Sequence, residues 1–149
     1  MKKIISAIAA FAVVLSSLVV SPFAADEKTV SLRIEGKSET YFYGDVTTNA
    51  STVAELMNEV DAANDNLTIT NPTGTYITAI NGDVAGSVAP KYWDGWLYLV
   101  NGVELGVPIG EQQINDGDVI VFYYSDEYGS HGFAKHVADL SKLGDREIT

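Results

Sequence analysis

The run Val119-Ile120-Val121-Phe122-Tyr123-Tyr124 constrains the fold more than any other segment of this chain. Successive side chains of an extended strand point to opposite sides, so Val119, Val121 and Tyr123 share one face and Ile120, Phe122 and Tyr124 the other. Both faces are therefore apolar. Asn115-Asp116-Gly117-Asp118 immediately before it is a turn that leads the chain into this strand.

The remaining elements are legible around it. Val30, Leu32 and Ile34 alternate within Thr29 to Glu35, a first strand ended by Gly36-Lys37-Ser38. Tyr41 to Val46 is either a second strand or an aromatic loop, because Gly44 interrupts it. Thr52-Val53-Ala54-Glu55 fits a capping box, and Val53, Leu56, Met57 and Val60 form one helical stripe ended by Asn64-Asp65-Asn66. Leu67 to Thr70, Tyr76 to Ile80 and Trp96 to Val100 are further strand candidates, and Asn101-Gly102 is a two-residue hairpin turn. One helix and five or six strands imply an α+β fold, a sheet with the helix packed across one face. A single short helix cannot cover both faces of the strand at 119–124. The tail, a neighbouring loop, a partner or a ligand must cover the second, and an uncovered patch there would mark a binding surface.

The ends bound the context. Lys2 and Lys3, an apolar run from Ile4 to Val20 and Ser21-Pro22-Phe23-Ala24-Ala25 have the layout of a secretory signal peptide over residues 1–25, with cleavage near Ala24 or Ala25. The expectation is a secreted, extracellular bacterial protein with a domain over 26–125 and no membrane insertion after cleavage. Without Lys2 and Lys3 the chain has 7 basic against 20 acidic residues, which disfavours nucleic acid and anionic membrane surfaces as partners. It contains no cysteine, so it must fold without disulfides or thiolate metal sites. In the tail, 126–149, Phe133, Val137, Leu140 and Leu143 suit a short amphipathic helix; a docking cover and a disordered terminus both remain open.

Little in the sequence points to catalysis. His131 and His136 are the only histidines, both lie in the tail, and no serine stands in a nucleophile elbow. Asn115, Asp116 and Asp118 surround a glycine but lack the later bidentate glutamate of a calcium loop, so they read as a turn and no metal site is expected. The expectation is a non-enzymatic protein that requires no cofactor. Aromatic side chains crowd instead between Gly74 and Gly102, where both tryptophans and three tyrosines fall. Such side chains offer large rigid apolar area to a ligand, and equally to a core.

The run G-T-Y-I-T-A-I-N-G-D-V-A-G-S, followed by Y-W and W-L-Y-L-V-N-G, resembles the C-terminal β-domain of the transcobalamin and intrinsic factor family of cobalamin carriers. It is similar too to the bacterial secreted domains of unknown function named for that likeness. The resemblance extends over Thr29 to Ser125, including the V-A-E-L helix start and the D-G-D-V-I-V-F-Y-Y ending. It implies a β-grasp-like mixed sheet crossed by one helix. In the carriers cobalamin lies between this domain and an α-helical barrel, which these 149 residues do not encode. The implied ligand is a corrinoid such as cobalamin or another small apolar molecule, with a helical domain as the partner that completes the site. Either Trp93 or Trp96 takes the place of the family's tryptophan, and hairpin register favours Trp96. Ile80, Asn81, Val84, Tyr92, Trp93, Trp96 and Tyr98 are the expected ligand-lining positions. The alternative is an extracellular protein interaction or adhesion module using a sheet edge or an uncovered face.

Overall fold

A computed structural model describes residues 26–71, 73–127 and 132–133. The signal segment expected over residues 1–25, His131 and His136 lie outside the described residues, as do Val137, Leu140 and Leu143 of the expected tail helix, whereas Phe133, its first residue, stands in a short strand.

Strand β8 (Val119–Glu127) has a neighbour at each edge. It pairs in parallel with β1 (Lys28–Glu35), from Ser31 opposite Val119 to Glu35 opposite Tyr123. On its other side it pairs antiparallel with β6 (Gly95–Val100), from Gly95 opposite Ser125 to Val100 opposite Ile120. Strand β2 (Thr40–Thr48) lies antiparallel outside β1, and β7 (Val103–Glu104) outside β6, giving the order β2-β1-β8-β6-β7. A short β9 (Gly132–Phe133) adds to the far end of β8. The aromatic segment at Tyr41 is therefore strand: Gly44 stays in register opposite Leu32.

The turns follow from their residues. Asn101 (φ 52) and Gly102 (φ 78) both adopt the left-handed conformation that a two-residue hairpin turn needs. Asn101 also donates from Nδ2 to Asp118 Oδ1 at 2.9 Å and accepts from Val119 N at 2.9 Å, tying that turn to the start of β8. Asp116 accepts from Thr29 N at 2.8 Å and Asp118 from Asn115 N at 2.7 Å, so the carboxylates of the Asn115–Asp118 segment serve the turn.

Helix α1 (Val53–Ala63) begins at the expected capping box: Thr52 Oγ1 accepts from Glu55 N, and the Glu55 carboxylate accepts from Thr52 N. Two further orphan donors of its first turn find carbonyls in the 109–112 segment, Val53 N on Gln112 and Ala54 N on Ile109, each at 3.0 Å. Leu56, Met57 and Val60 are buried with Val30, Leu32, Ile34, Ile120, Phe122 and Tyr124 in the principal core. Each such side chain contributes about 1.5–3 kcal/mol by leaving water.

Two expected strands contract. Leu67 to Thr70 becomes β3 (Ile69–Thr70) and Tyr76 to Ile80 becomes β4 (Ala79–Ile80), joined with β5 (Asp83–Val84) in a separate three-stranded sheet. Of the residues left outside these strands, Leu67 N donates to Asn64 O at 3.0 Å and Thr78 N to Thr70 O at 2.8 Å, while the neighbouring Thr75 O accepts from Ile109 N at 3.0 Å and so holds a distant loop. Among the described residues the structure is predominantly β, a mixed sheet with one helix, which fits the coarse α+β outline.

Candidate functional site

The sequence from Leu105 to Ile109 returns from the β6–β7 hairpin past the end of the helix-facing side of the sheet. The bond from Ile109 N to Thr75 O fixes it beside residues 75–77. The two segments also meet where a side chain would not fit: a Cβ at Gly110 would stand 2.6 Å from Gly74 O, so glycine permits the close approach. Between them opens a cleft of about 320 Å³, with Tyr76, Ile77, Leu105, Val107 and Pro108 on its walls and Trp96, Tyr98 and Phe122 at its base.

The base is rigid. Tyr98 stacks on Phe122 at 5.5 Å between ring centroids, and its hydroxyl donates to Val107 O, which pins the cleft wall to the sheet. Burial pushes the Tyr98 phenol above its ordinary pKa, keeping it a donor in the physiological range. Trp96 is only 5% exposed, lies edge-on to Tyr124 at 5.4 Å and donates from Nε1 to Asp83 O at 2.9 Å. Tyr76, by contrast, is 56% exposed at the cleft mouth. An apolar hollow with a fixed aromatic base and a mobile-capable rim residue suits the edge or a side group of a ligand; its volume lies at the lower end of small-molecule sites.

A second feature lies on the loop from Ser87 to Asp94. Asp94 is buried and gathers the loop by accepting from Ser87 N and Val88 N, both at 2.9 Å, and from the Tyr124 hydroxyl. Burial alone would raise its pKa, but these donors outweigh it and hold the carboxyl well below the usual carboxylate range. Tyr124 moves the other way, its phenol pushed up by burial and by the bond to Asp94. The anchored loop projects Tyr92 and Trp93 into solvent, Trp93 being 56% exposed with Lys91 Nζ 5.1 Å from its ring centre.

The expected ligand-lining residues thus divide. Trp96 and Tyr98 line the cleft. Val84, Tyr92 and Trp93 are exposed outside it. Ile80 is fully buried in the core, and Asn81 (φ 47) is a turn residue whose side chain accepts from Thr68 N and donates to Asn66 O. Tyr76, Leu105, Val107 and Pro108, which also line the cleft, are not among the expected positions. The apolar G-V-E-L-G-V-P run after the hairpin was the available signal for the latter three. Among the described residues no group of three or more His, Cys, Asp or Glu side chains is placed to hold a metal ion, and no helix is long and apolar enough to cross a membrane.

Residues 50–126 match the family described as a domain of unknown function, DUF4430. No curated protein matches the chain. Among solved structures the fold is similar to haptocorrin in complex with Cbi, at a TM-score of 0.56 and 23% identity, over 69% of this chain but 26% of that one. It is similar too to a protein from Ruminococcus gnavus ATCC 29149 with a provisional metal-binding description, at a TM-score of 0.53 and 14% identity, over 68% of this chain and all of that one. At these identities the likeness is one of fold.

Proposed function

Because this chain belongs to the DUF4430 family of domains of unknown function, we propose from its geometry that it is a secreted, non-enzymatic binding domain whose cleft between residues 75–77 and 104–109 receives a small, largely apolar ligand. The observation that carries this reading is the aromatic base of the cleft, held rigid by the Tyr98 hydroxyl on Val107 O and by the stack of Tyr98 on Phe122. A preformed apolar hollow loses little entropy when it binds.

Corrinoids are the class we favour, on the fold likeness to haptocorrin, solved in complex with Cbi. A cleft of about 320 Å³ cannot enclose a whole corrin ring, so the domain acts as half of a site and a helical partner supplies the other face. The same likeness supports a β-grasp-like reading of the sheet, in which parallel β1 and β8 form the centre beneath a single crossing helix.

Titration of the purified protein with cobalamin and cobinamide, followed by tryptophan fluorescence and calorimetry, tests the proposal. Tyr76→Ala should weaken saturable binding about tenfold without unfolding the chain, because the side chain stands at the mouth and outside the core. Absence of binding at high micromolar ligand would overturn the proposal, since even half of a corrinoid site should bind measurably at that concentration. One observation favours a second reading, a protein interaction module: the exposed Tyr92 and Trp93 on their anchored loop. Trp93→Ala separates the two, since it should leave small-molecule titration unchanged.

A further inference from the structure

We propose that the outer edge of β2, with the groove between it and the last turn of α1, is a docking strip for an extended, basic segment of a partner protein that adds to the sheet as a further strand. Strand β2 ends the strand order, and among the described residues no strand pairs with its outer side. Alternate residues of an edge strand hold their N–H and C=O groups away from the sheet, so this edge offers a row of main-chain donors and acceptors. It is nine residues long, where a typical strand has about five or six. Edges of that length are ordinarily blunted by lysine, proline or a bulge. The run T-Y-F-Y-G-D-V-T-T contains no lysine and no proline, Asp45 is its one charge, and its register shift lies at the very end, opposite Ile34 and Glu35.

The groove sets the chemistry of the occupant. Its volume is about 430 Å³; Phe42, Val46, Val60 and Ala63 are its apolar part, and Asp45 and Glu59 are the charged residues that line it. Both acidic residues are exposed. The Thr48 hydroxyl donates to Glu59 Oε2, which ties that carboxylate to the strand, and an ionised carboxylate has acceptor sites to spare. Helix α1 ends beside them with no basic residue in its last turn, so no side chain there offsets the negative end of its dipole. An apolar floor with an acidic rim fits lysine or arginine, whose stem lies along apolar surface while its head reaches a carboxylate. Main-chain pairing then supplies affinity, and alternate side chains entering the groove supply specificity.

Charge also argues against a second copy as the occupant. The chain carries a net charge of −11, and pairing two such edges would set like charges together. The strip lies at the opposite end of the strand order from β6 and β7, which border the cleft, so it stands whether or not the cleft binds a ligand.

A fluorescein-labelled nine-residue peptide of alternating lysine and valine, titrated with the purified protein and followed by anisotropy, tests the proposal. Saturable binding at micromolar concentration is expected, with amide shifts at residues 41–48. Glu59→Gln should weaken it about fivefold, while Glu111→Gln, the same charge change at an exposed site outside the groove, should leave it unchanged. Methylating every backbone nitrogen of the probe should abolish binding, because its charge stays but its strand-pairing donors are gone. Equal binding of the methylated probe would reduce the effect to bulk charge and overturn the proposal, as would equal binding of a glutamate–valine probe. No binding of the lysine–valine probe, the result if a second copy or the chain itself fills the edge, would overturn it too.

Discussion

Asp94 is the residue on which the loop from Ser87 to Asp94 most depends chemically. Its carboxylate holds Ser87, Val88 and Tyr124 together, and its folded pKa is held below the unfolded value of about 4. A depressed carboxyl contributes stability that is present in full above the unfolded pKa and is lost as pH falls through the folded one. Thermal unfolding measured from pH 6 downward should show the midpoint declining from about pH 4, with a shallower decline in Asp94→Asn. At neutral pH, Asp94→Ala should cost about 3 kcal/mol, because it leaves buried donors unmatched. The Arg33–Glu35 pair on β1 is a second such commitment, fully enclosed and joined by the Thr40 hydroxyl at 2.9 Å. Removing one partner, as in Glu35→Ala, should destabilise by about 3–5 kcal/mol in denaturant titration, since the buried guanidinium then loses its carboxylate.

At the scale of elements, what was legible in the sequence is what short-range chemistry decides. Helix α1 could be read from Thr52 and Glu55 because a capping box is completed within four residues. Thr52→Ala should therefore cost about 1 kcal/mol in chemical denaturation, with the rest of the helix held by its buried stripe. Asn101-Gly102 was legible for the same reason, since two left-handed residues between apolar runs leave few alternatives. The segment 76–78 was not legible as loop. Its apolar alternation suits a strand, and what diverts it is a bond from Thr75 O to Ile109 N, between residues far apart in the chain. Tyr76 shows the same limit: its residue type favours burial, and only the meeting of that segment with 104–109 places it at the cleft mouth. Gly110→Ala should show how tightly the two segments meet, lowering the thermal midpoint because the new Cβ would press on a backbone carbonyl.

At the scale of the whole molecule, the two-sided apolar strand implied a sheet needing cover on both faces, and β8 lies at its centre between β1 and β6. The location of a hollow was beyond that reasoning, because its walls come from two loops and its base from two strands. The expected ligand-lining set accordingly mixes Trp96 and Tyr98, at the base, with Ile80 in the core and Trp93 on a separate loop. The account's central claim is that the cleft is the binding surface of this domain. The most direct measurement is backbone amide chemical-shift mapping during titration with cobinamide. Shifts concentrated at residues 75–77 and 104–109, with Trp96 and Tyr98, are the predicted result. Shifts confined to residues 87–93, or none at saturating ligand, would contradict it.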